Sequence, residues 1–261
     1  MNGTGGNTPG RWGDLPARVG SAAVMLTVGA AAIWAGGMWF QVLVAVIGGG
    51  MIWEFSRLMG PDKQRFAVPM GLLAAVALAS TAVLPAQAIF PVLLAVAIAG
   101  ATQLEKDRLV YGLYAAALIL ACFGLIVIRE TRGAYWIVWL VSVVVVTDVA
   151  GYFAGKLLGG PKFWPSVSPK KTWSGTVAGW IAAAGVGMVF GGVPLIVLSV
   201  MTSFSSQMGD AAESALKRRA GIKDSSNLIP GHGGLLDRFD AMLGAALFVL
   251  LMGAALGLPA V

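Results

Sequence analysis

Long apolar stretches separated by short polar loops dominate the chain. A helix needs about 20 apolar residues to cross the hydrocarbon core of a bilayer, and only helices or closed barrels can span it. The stretches suit helices rather than barrel strands, so we predict an all-α polytopic membrane protein with about nine transmembrane helices. The predicted spans lie near residues 19–36, 38–54, 67–85, 87–103, 109–128, 134–154, 174–190, 192–208 and 239–258.

The composition agrees with this pattern. Of the 261 residues, 57% are hydrophobic and 11% are charged, against about 45–50% and about 25% in soluble domains. So little polar surface excludes a soluble core, and so few charges exclude a disordered chain. The single cysteine, Cys122, excludes a disulfide scaffold.

The positive charges predict the orientation of the helices. With the N-terminus in the cytoplasm, all but two of the 18 lysines and arginines fall on the cytoplasmic side. The two on the outer side are Arg129 and Arg132. Such an excess is typical of cytoplasmic loops. We therefore expect a cytoplasmic N-terminus, a basic cytoplasmic face and no nucleic-acid partner, since no basic soluble domain is present.

The polar residues divide the chain into three parts. Residues 1–18 are glycine-rich and are predicted to form a disordered polar tail. Residues 19–130 are predicted to form a transmembrane scaffold region of about five helices. Residues 131–261 are predicted to be a catalytic transmembrane region with two long cytoplasmic loops, 155–173 and 209–238, so the active site is expected at the cytoplasmic face.

Acidic residues also lie at the ends of two predicted spans. Asp148 is either a functional acid within the membrane or a helix-end acid near water, and both interpretations stay open. Gly151 and Gly155 most simply indicate helix packing. Glu54 and Arg57, after the second span, are more simply an interfacial pair at a helix end than functional residues.

The segment Ser168-Pro169-Lys170-Lys171-Thr172 precedes the seventh span. Two lysines flanked by hydroxyls can bind a polyphosphate. Taken alone, the segment is more simply a basic pair that follows the positive-inside rule.

The segment after the eighth span is predicted to continue as a helix. Its polar side, by the i, i+3, i+4, i+7 rule, holds Asp210, Glu213, Ser214, Lys217 and Arg218. A solvated helix with a Glu213–Lys217 pair and a patch for anionic lipid is the alternative.

The last polar segment contains the run Pro230-Gly231-His232-Gly233-Gly234. We expect this run to leave backbone N–H groups free, and such a loop before a helix can receive phosphate oxygens. Asp237 and Asp240 then begin the last span, where acids also complement the helix dipole.

Together these segments indicate metal-assisted phosphoryl or nucleotidyl transfer at a membrane surface. Asp210 and Asp237 offer the hard oxygen ligands that Mg²⁺ combines with substrate phosphates. A single histidine without a nearby cysteine is poor material for a zinc site, and no Walker-type phosphate loop is present.

The same residues resemble the signature of the phosphatidate cytidylyltransferases, also called CDP-diacylglycerol synthases. The main pattern is Ser214-x-x-Lys217-Arg218, Lys223-Asp224 and Pro230-Gly231-His232-Gly233-Gly234-x-x-Asp237-Arg238-x-Asp240. Gly209-Asp210, the segment 168–172, and Asp148 with Tyr152 and Gly155 also resemble family motifs. The resemblance covers residues 145–240 and is limited to hydropathy before them. Ser174, where the family often has Glu or Gln, and the order Ala150-Gly151-Tyr152 depart from it.

The resemblance implies a nucleotidyltransferase that moves a cytidylyl group from CTP to phosphatidate, giving CDP-diacylglycerol and pyrophosphate in phospholipid biosynthesis. It implies Mg²⁺ as cofactor, with a second cation left open, and a multi-pass protein of the bacterial inner (plasma) membrane. Its partners would be CTP, phosphatidate and membrane lipids. The oligomeric state, including a homodimer, is left open.

The resemblance also assigns roles to residues. Asp210 and Asp237 would be metal ligands, and they would form the catalytic set with Lys217, Arg218 and His232. The expected substrate-binding residues are Asp148, Ser168, Lys170, Lys171, Thr172, Ser214, Lys223, Asp224, Gly231, Gly233, Gly234, Arg238 and Asp240.

Three other functions are alternatives for this sequence. The nearest is a CTP-dependent lipid kinase, or a cytidylyltransferase acting on a prenyl or other lipid. A transporter would place charges along a path through the bilayer, whereas the predicted spans are almost charge-free apart from Asp148. A non-catalytic scaffold for anionic lipid would explain the basic loops but not Asp210, Asp237 or His232.

Overall fold

The computed structural model describes residues 15–60 and 65–256, which form nine α-helices and one short β-hairpin. The helices are α1 (Leu15–Ala35), α2 (Gly37–Met59), α3 (Ala67–Ser80), α4 (Ala86–Thr102), α5 (Arg108–Arg132), α6 (Ala134–Leu157), α7 (Trp173–Gly191), α8 (Val193–Arg219) and α9 (Leu236–Ala255). The strands are β1 (Lys162–Trp164) and β2 (Ser168–Thr172).

Six of the described helices are long and apolar enough to cross a membrane, namely α1, α2, α5, α6, α7 and α9. The chain is therefore a multi-pass membrane protein, as the apolar pattern predicts. The helices α3 and α4 have only 14 and 17 residues, which is short for a bilayer. The 27-residue α8 ends in charged residues. For these three helices, a complete crossing stays a prediction.

Two predicted boundaries differ from the structure. Most of the predicted tail, residues 1–14, lies outside the described residues, but α1 already begins at Leu15. The predicted loop 209–238 is helical at both ends, because α8 continues to Arg219 as its charged side predicts and α9 begins at Leu236.

The predicted loop 155–173 contains the β-hairpin, so the chain is not strictly all-α. The strands pair antiparallel, with Lys162 opposite Thr172 and Trp164 opposite Ser168. Pro165 and Pro169 cannot continue a helix. The backbone groups of the segment are therefore paired across two short strands instead.

The helices pack mainly against their neighbours in the chain. The four elements α6, α7, α8 and α9 form one continuous group, while α2 packs on α3 and α4 packs on α5. Contacts of α5 with both α9 and α2 join the two groups. Large side chains such as Trp139, Phe55 and Tyr111 are fully buried in this core.

Two close approaches of glycines position the helices that carry the candidate site. A Cβ on Gly175 of α7 would lie 2.5 Å from the carbonyl oxygen of Gly151 in α6. Gly209 of α8 meets the backbone of Asp240 and Gly244 in α9 in the same way. Only glycine allows backbones so close, and the packing interpretation of Gly151 is confirmed.

Contacts between distant parts of the chain bring the polar helix ends together on one face. The pairs on this face are Ser21 with His232, Glu54 with Leu235, Arg219 with Asp107, and Lys171 with Asp210. On the opposite face, Arg129 donates a hydrogen bond to the Ile33 carbonyl, and Tyr135 donates one to the Phe190 carbonyl. The candidate residues of the second half therefore share one end of the helix bundle.

Candidate active site

Three carboxylates meet where α8 packs against the start of α9. Asp210, Glu213 and Asp240 each offer an oxygen, and these oxygens all lie within 4.8 Å of one another. Glu213 is only 1% exposed. Within the described part of the chain, both of its oxygens are without a hydrogen bond of normal geometry, although Lys217 Nζ lies 2.6 Å from Oε2 as an ion-pair partner.

Lys217 links this acid cluster to the start of α9. Its Nζ lies 2.6 Å from Glu213 Oε2 and 2.7 Å from Asp237 Oδ1. Burial raises the pKa of Glu213, and the charge of Asp240 adds to that effect. Burial also acts to lower the pKa of Lys217, but hydrogen bonds to Asp237 and Glu213 outweigh it, so the pKa is raised. The two acids therefore favour the charged form of Lys217.

The acid cluster fits a hard divalent cation. Its ligand atoms are all carboxylate oxygens, which Mg²⁺ prefers. Among the described residues, the buried Glu213 Oε1 has no hydrogen-bond donor, while Oε2 has only Lys217. Asp210 lies in the cluster. Asp237, the other predicted metal ligand, lies on the other side of Lys217 from the cluster. The role of Asp237 as a ligand stays a prediction. Glu213 and Asp240 are further candidate ligands, signalled by their positions one helical turn from Asp210 and Asp237.

Asp237 organises the loop that precedes α9. Its Oδ2 accepts hydrogen bonds from Ser225 N at 2.9 Å, from Ser225 Oγ at 2.9 Å and from Gly234 N at 2.8 Å. A carboxylate with several N–H and O–H donors is strongly held in its ionised form. The orientation of Asp237 is therefore fixed by the loop on one side and by Lys217 on the other.

The glycine-rich run is a closed turn rather than an open loop. The carbonyl oxygen of Ile229 accepts from both His232 N and Gly233 N, and Ile229 N donates back to the Gly233 carbonyl. Gly234 N is bound to Asp237. The expectation that these N–H groups are free is therefore wrong for positions 232, 233 and 234, because the turn uses them internally.

His232 and Arg238 both take part in this turn. Ser21 Oγ in α1 lies 2.7 Å from His232 Nδ1. Arg238 Nε donates a hydrogen bond of 2.7 Å to the carbonyl of His232. The turn is thus held from two sides, and one of them is the first helix of the chain.

A cleft of about 330 Å³ lies beside the acid cluster. Its lining combines Asp148 with Lys170 and Lys171, and Lys171 Nζ lies 2.5 Å from Asp210 Oδ2. The other lining residues are Thr147, Gly151, Tyr152, Gly155, Lys156, Thr172, Gly175, Thr176 and Gln207. The volume is within the range of ligand pockets, and its lysines suit phosphate groups.

The hydroxyl residues near the cleft have local contacts. Thr172 Oγ1 accepts from Gly175 N and so caps α7. Ser174, where the sequence departs from the family pattern, donates to the Gly159 carbonyl and contacts Thr172 Oγ1. Ser214 Oγ donates to Asp210 Oδ1 at 3.2 Å, while Ser168 lies in β2.

Other predicted residues lie outside both the acid cluster and the cleft lining. Arg218 is exposed near the end of α8, and Lys223 and Asp224 are exposed in the following loop. Gly231 is exposed next to Arg18 of α1. Their roles in binding substrate stay predictions.

Sequence reasoning missed three contributors to this region. Glu54 in α2 binds the loop before α9, Ser21 binds His232, and Gln207 lines the cleft and accepts from Trp180 Nε1. The interpretation of Glu54 as an interfacial helix-end residue is wrong, because the side chain is fully buried. A usable signal was that Glu54 is the sole acid between residues 15 and 60.

The sequence matches the cytidylyltransferase family over residues 16–256. It is 36% identical over 261 aligned residues to proteins named phosphatidate cytidylyltransferase from Brucella suis biovar 1 and Brucella melitensis biotype 1, covering 94% of this chain and 96% of each relative. A protein of the same name from Helicobacter pylori is 43% identical over 132 residues, covering 48% of this chain and 49% of the relative. The similarity thus extends into the N-terminal half, beyond the signature residues.

Proposed function

The chain belongs to the cytidylyltransferase family, and from this we propose that it transfers a cytidylyl group from CTP to phosphatidate, giving CDP-diacylglycerol and pyrophosphate. The observation that carries the proposal is 36% identity, over 94% of the chain, to proteins named phosphatidate cytidylyltransferase. The acid cluster and the lysine-lined cleft support it, because together they suit two phosphate-bearing substrates at one end of a membrane-embedded bundle.

Charge repulsion is the main barrier to this reaction. A phosphate oxygen of phosphatidate attacks the α-phosphorus of CTP, the bond from that phosphorus to the oxygen of the β-phosphate breaks, and pyrophosphate leaves. The nucleophile is already ionised at pH 7, so no strong general base is needed. The protein has to neutralise charge and align the attack.

The described side chains provide these two functions. Lys170 and Lys171 would bind phosphate groups in the cleft, and Asp148 would contact the ribose or a cation. Lys217 would add positive charge beside the acid cluster. His232 and the glycine turn would shape the nucleotide pocket.

A divalent cation fits the acid cluster. We infer that Asp210, Glu213 and Asp240 would hold it, and that Asp237 belongs to the same charged network through Lys217. When bound, Mg²⁺ would neutralise phosphate charge and polarise the α-phosphoryl group.

We also propose that the site faces the cytoplasm of a bacterial inner membrane. The great majority of the 18 lysines and arginines belong to that face in the predicted topology, and CTP is a cytoplasmic nucleotide. Residues 131–261 would form the catalytic region, while residues 19–130 would hold it in place. The contacts of Ser21 and Glu54 support a direct role of the first part in shaping the site.

The test uses purified protein in detergent with phosphatidate, radiolabelled CTP and Mg²⁺, with and without a chelator. Metal-dependent label in a lipid product, matched by release of pyrophosphate, is expected. Labelled CDP together with a phosphorylated lipid would instead identify a lipid kinase. Absence of CTP turnover with phosphatidate, and turnover with a prenyl phosphate, would overturn the choice of lipid.

A further inference from the structure

Glu54 lies near the C-terminal end of α2 and is fully buried. Its Oε1 accepts from Ser226 Oγ at 2.5 Å and from Leu235 N at 2.9 Å. Its Oε2 accepts from Ser225 Oγ at 3.2 Å and from Leu236 N at 2.7 Å. A buried carboxylate is costly unless its oxygens are hydrogen-bonded. Here three neutral donors bind it outright, and Ser225 shares its single hydroxyl proton between Glu54 and Asp237, which lies closer.

These donors come from the two ends of the segment 225–236, which completes the connection from α8 to α9. Ser225 and Ser226 begin this segment, whereas Leu235 and Leu236 lead into α9. The turn that contains His232 lies between them. A single carboxylate from the N-terminal half therefore fixes both ends of the segment and, with it, the start of α9.

The connection from Glu54 reaches the acid cluster in short steps. Ser225 Oγ lies between Glu54 Oε2, at 3.2 Å, and Asp237 Oδ2, at 2.9 Å. Asp237 Oδ1 then holds Lys217 Nζ at 2.7 Å, and Lys217 pairs with Glu213. Displacement of the loop would therefore release Asp237 and move the positive charge of Lys217.

Gly234 shows independently how tightly this carboxylate fits. A Cβ at position 234 would lie 2.7 Å from Glu54 Oε1 and 2.8 Å from Oε2, and it would also collide with Ser225 Oγ. Ser225 and Glu54 together therefore leave no room for a side chain at position 234.

From these contacts we propose that Glu54 is a positioning residue for the transfer reaction, which acts by holding the loop 225–236 so that Asp237 and Lys217 keep their places beside the acid cluster. The hydrogen-bond partners of Glu54 all belong to this loop, and Glu54 does not line the cleft. The catalytic part of this proposal rests on the proposed function, whereas its structural part does not.

The experiment compares E54Q with E130Q in the full-length protein. Both changes remove one negative charge at nearly constant shape, but Glu130 is exposed at the opposite end of the bundle. In E54Q an amide donor would face hydroxyl and N–H donors. Hydrogen bonds to a charged group contribute about 1.5–3 kcal/mol, so amide exchange in peptides containing Leu235 and Leu236 should be about tenfold faster or more.

Kinetics provide the second readout. We expect kcat of E54Q to fall by about tenfold or more by the same free-energy scale, with KM for phosphatidate near that of E130Q, because Glu54 would act through Asp237 and not on the lipid. Unchanged exchange at Leu235 and Leu236 would overturn the proposal, and so would faster exchange with normal kcat. If the wild type transfers no cytidylyl group, the proposed function fails while the exchange experiment still tests the contact.

A milder variant, S226A, tests the same proposal if E54Q does not fold. S226A removes one of the four donors and leaves the carboxylate in place. For S226A we expect the amide exchange rate at Leu235 and the value of kcat to lie between those of E130Q and those of E54Q. Equality of S226A and E130Q in both readouts would contradict the positioning role.

Discussion

At the scale of single residues, Lys217 is the side chain on which the charge balance of the site depends. It separates Glu213 in α8 from Asp237 in α9, and the side chains of both acids are at most 5% exposed. Removing one partner of a buried ion pair leaves a charge without compensation. The lysine therefore stabilises the contact between the two helices, in addition to any role towards phosphate.

Replacing Lys217 by methionine should destabilise the protein. The loss of one buried partner costs about 3 kcal/mol or more, since the buried Asp237 carboxylate would lose the cation that compensates its charge. The thermal unfolding midpoint in detergent measures this, with K106M in the exposed loop before α5 as the control. Equal midpoints for K217M and K106M would show that Lys217 has no structural role.

Asp210 belongs to the acid cluster and also pairs with Lys171 of the cleft. D210N should lower kcat by at least about 100-fold, because a Lewis-acid cation is worth several kcal/mol of transition-state stabilisation. Turnover is measured against Mg²⁺ concentration, and D107N, at the start of α5, is the matched control. Near-normal turnover of D210N at limiting Mg²⁺ would exclude Asp210 as a ligand.

At the scale of elements, the cleft depends on how closely α6 and α7 approach. The backbones touch at Gly151 and Gly175, and Asp148 lies one turn away on α6. The hairpin places Lys170 and Lys171 at the other side of the same cleft. A change that separates the two helices would therefore separate the acid from the lysines.

G175V should test this contact. A valine there overlaps the Gly151 carbonyl, and overpacking costs about 1–3 kcal/mol, so both thermal stability and CTP affinity should fall. G185V on the same helix is the control, because a Cβ at position 185 meets no atom within 4 Å. If both variants lower stability equally, helix propensity and not the close contact explains the effect.

The helices could be predicted from the sequence because a run of apolar residues is a local property. The second span, predicted at 38–54, corresponds to a helix over Gly37–Met59, and the charged side of α8 followed from its spacing. The hairpin could not be predicted in this way, because the pairing of Lys162 with Thr172 depends on two separated segments.

The candidate site was predictable in its residue types but not in its connections. Asp210 and Asp240 are both predicted site residues, but the approach of Asp240 to Asp210 and Glu213 depends on the Gly209 contact between α8 and α9. Glu54 was misjudged because its partner Ser225 lies 171 positions further along the chain. Short-range spacing does not contain that information.

At the scale of the whole molecule, the contacts distinguish the end of the bundle that carries the candidate site from the opposite end. The loops that carry the candidate site and the ends of α1 and α2 that bind them lie together, whereas Arg129 and Tyr135 mark the other end. The alternation of the helices across the bilayer stays a prediction.

The orientation can be tested with single cysteines in a C122A background. K106C at the end that carries the candidate site should react with a membrane-impermeant maleimide only after the inner membrane is opened, because we place that end in the cytoplasm. T131C, exposed at the opposite end, should react in intact spheroplasts. The reverse pattern would invert the proposed topology.

The hydrogen bonds between Glu54 and the loop before α9 also have a consequence for the synthesis of the chain. The ribosome makes Glu54 well before Ser225, and the 171 positions between them correspond to about 10–35 s at typical elongation rates. During this interval α2 is inserted with an acid whose final partners do not yet exist. The site is therefore completed only after this loop and α9 have been synthesised, and a chain truncated before Ser225 lacks all the hydrogen-bond donors that this segment gives to Glu54.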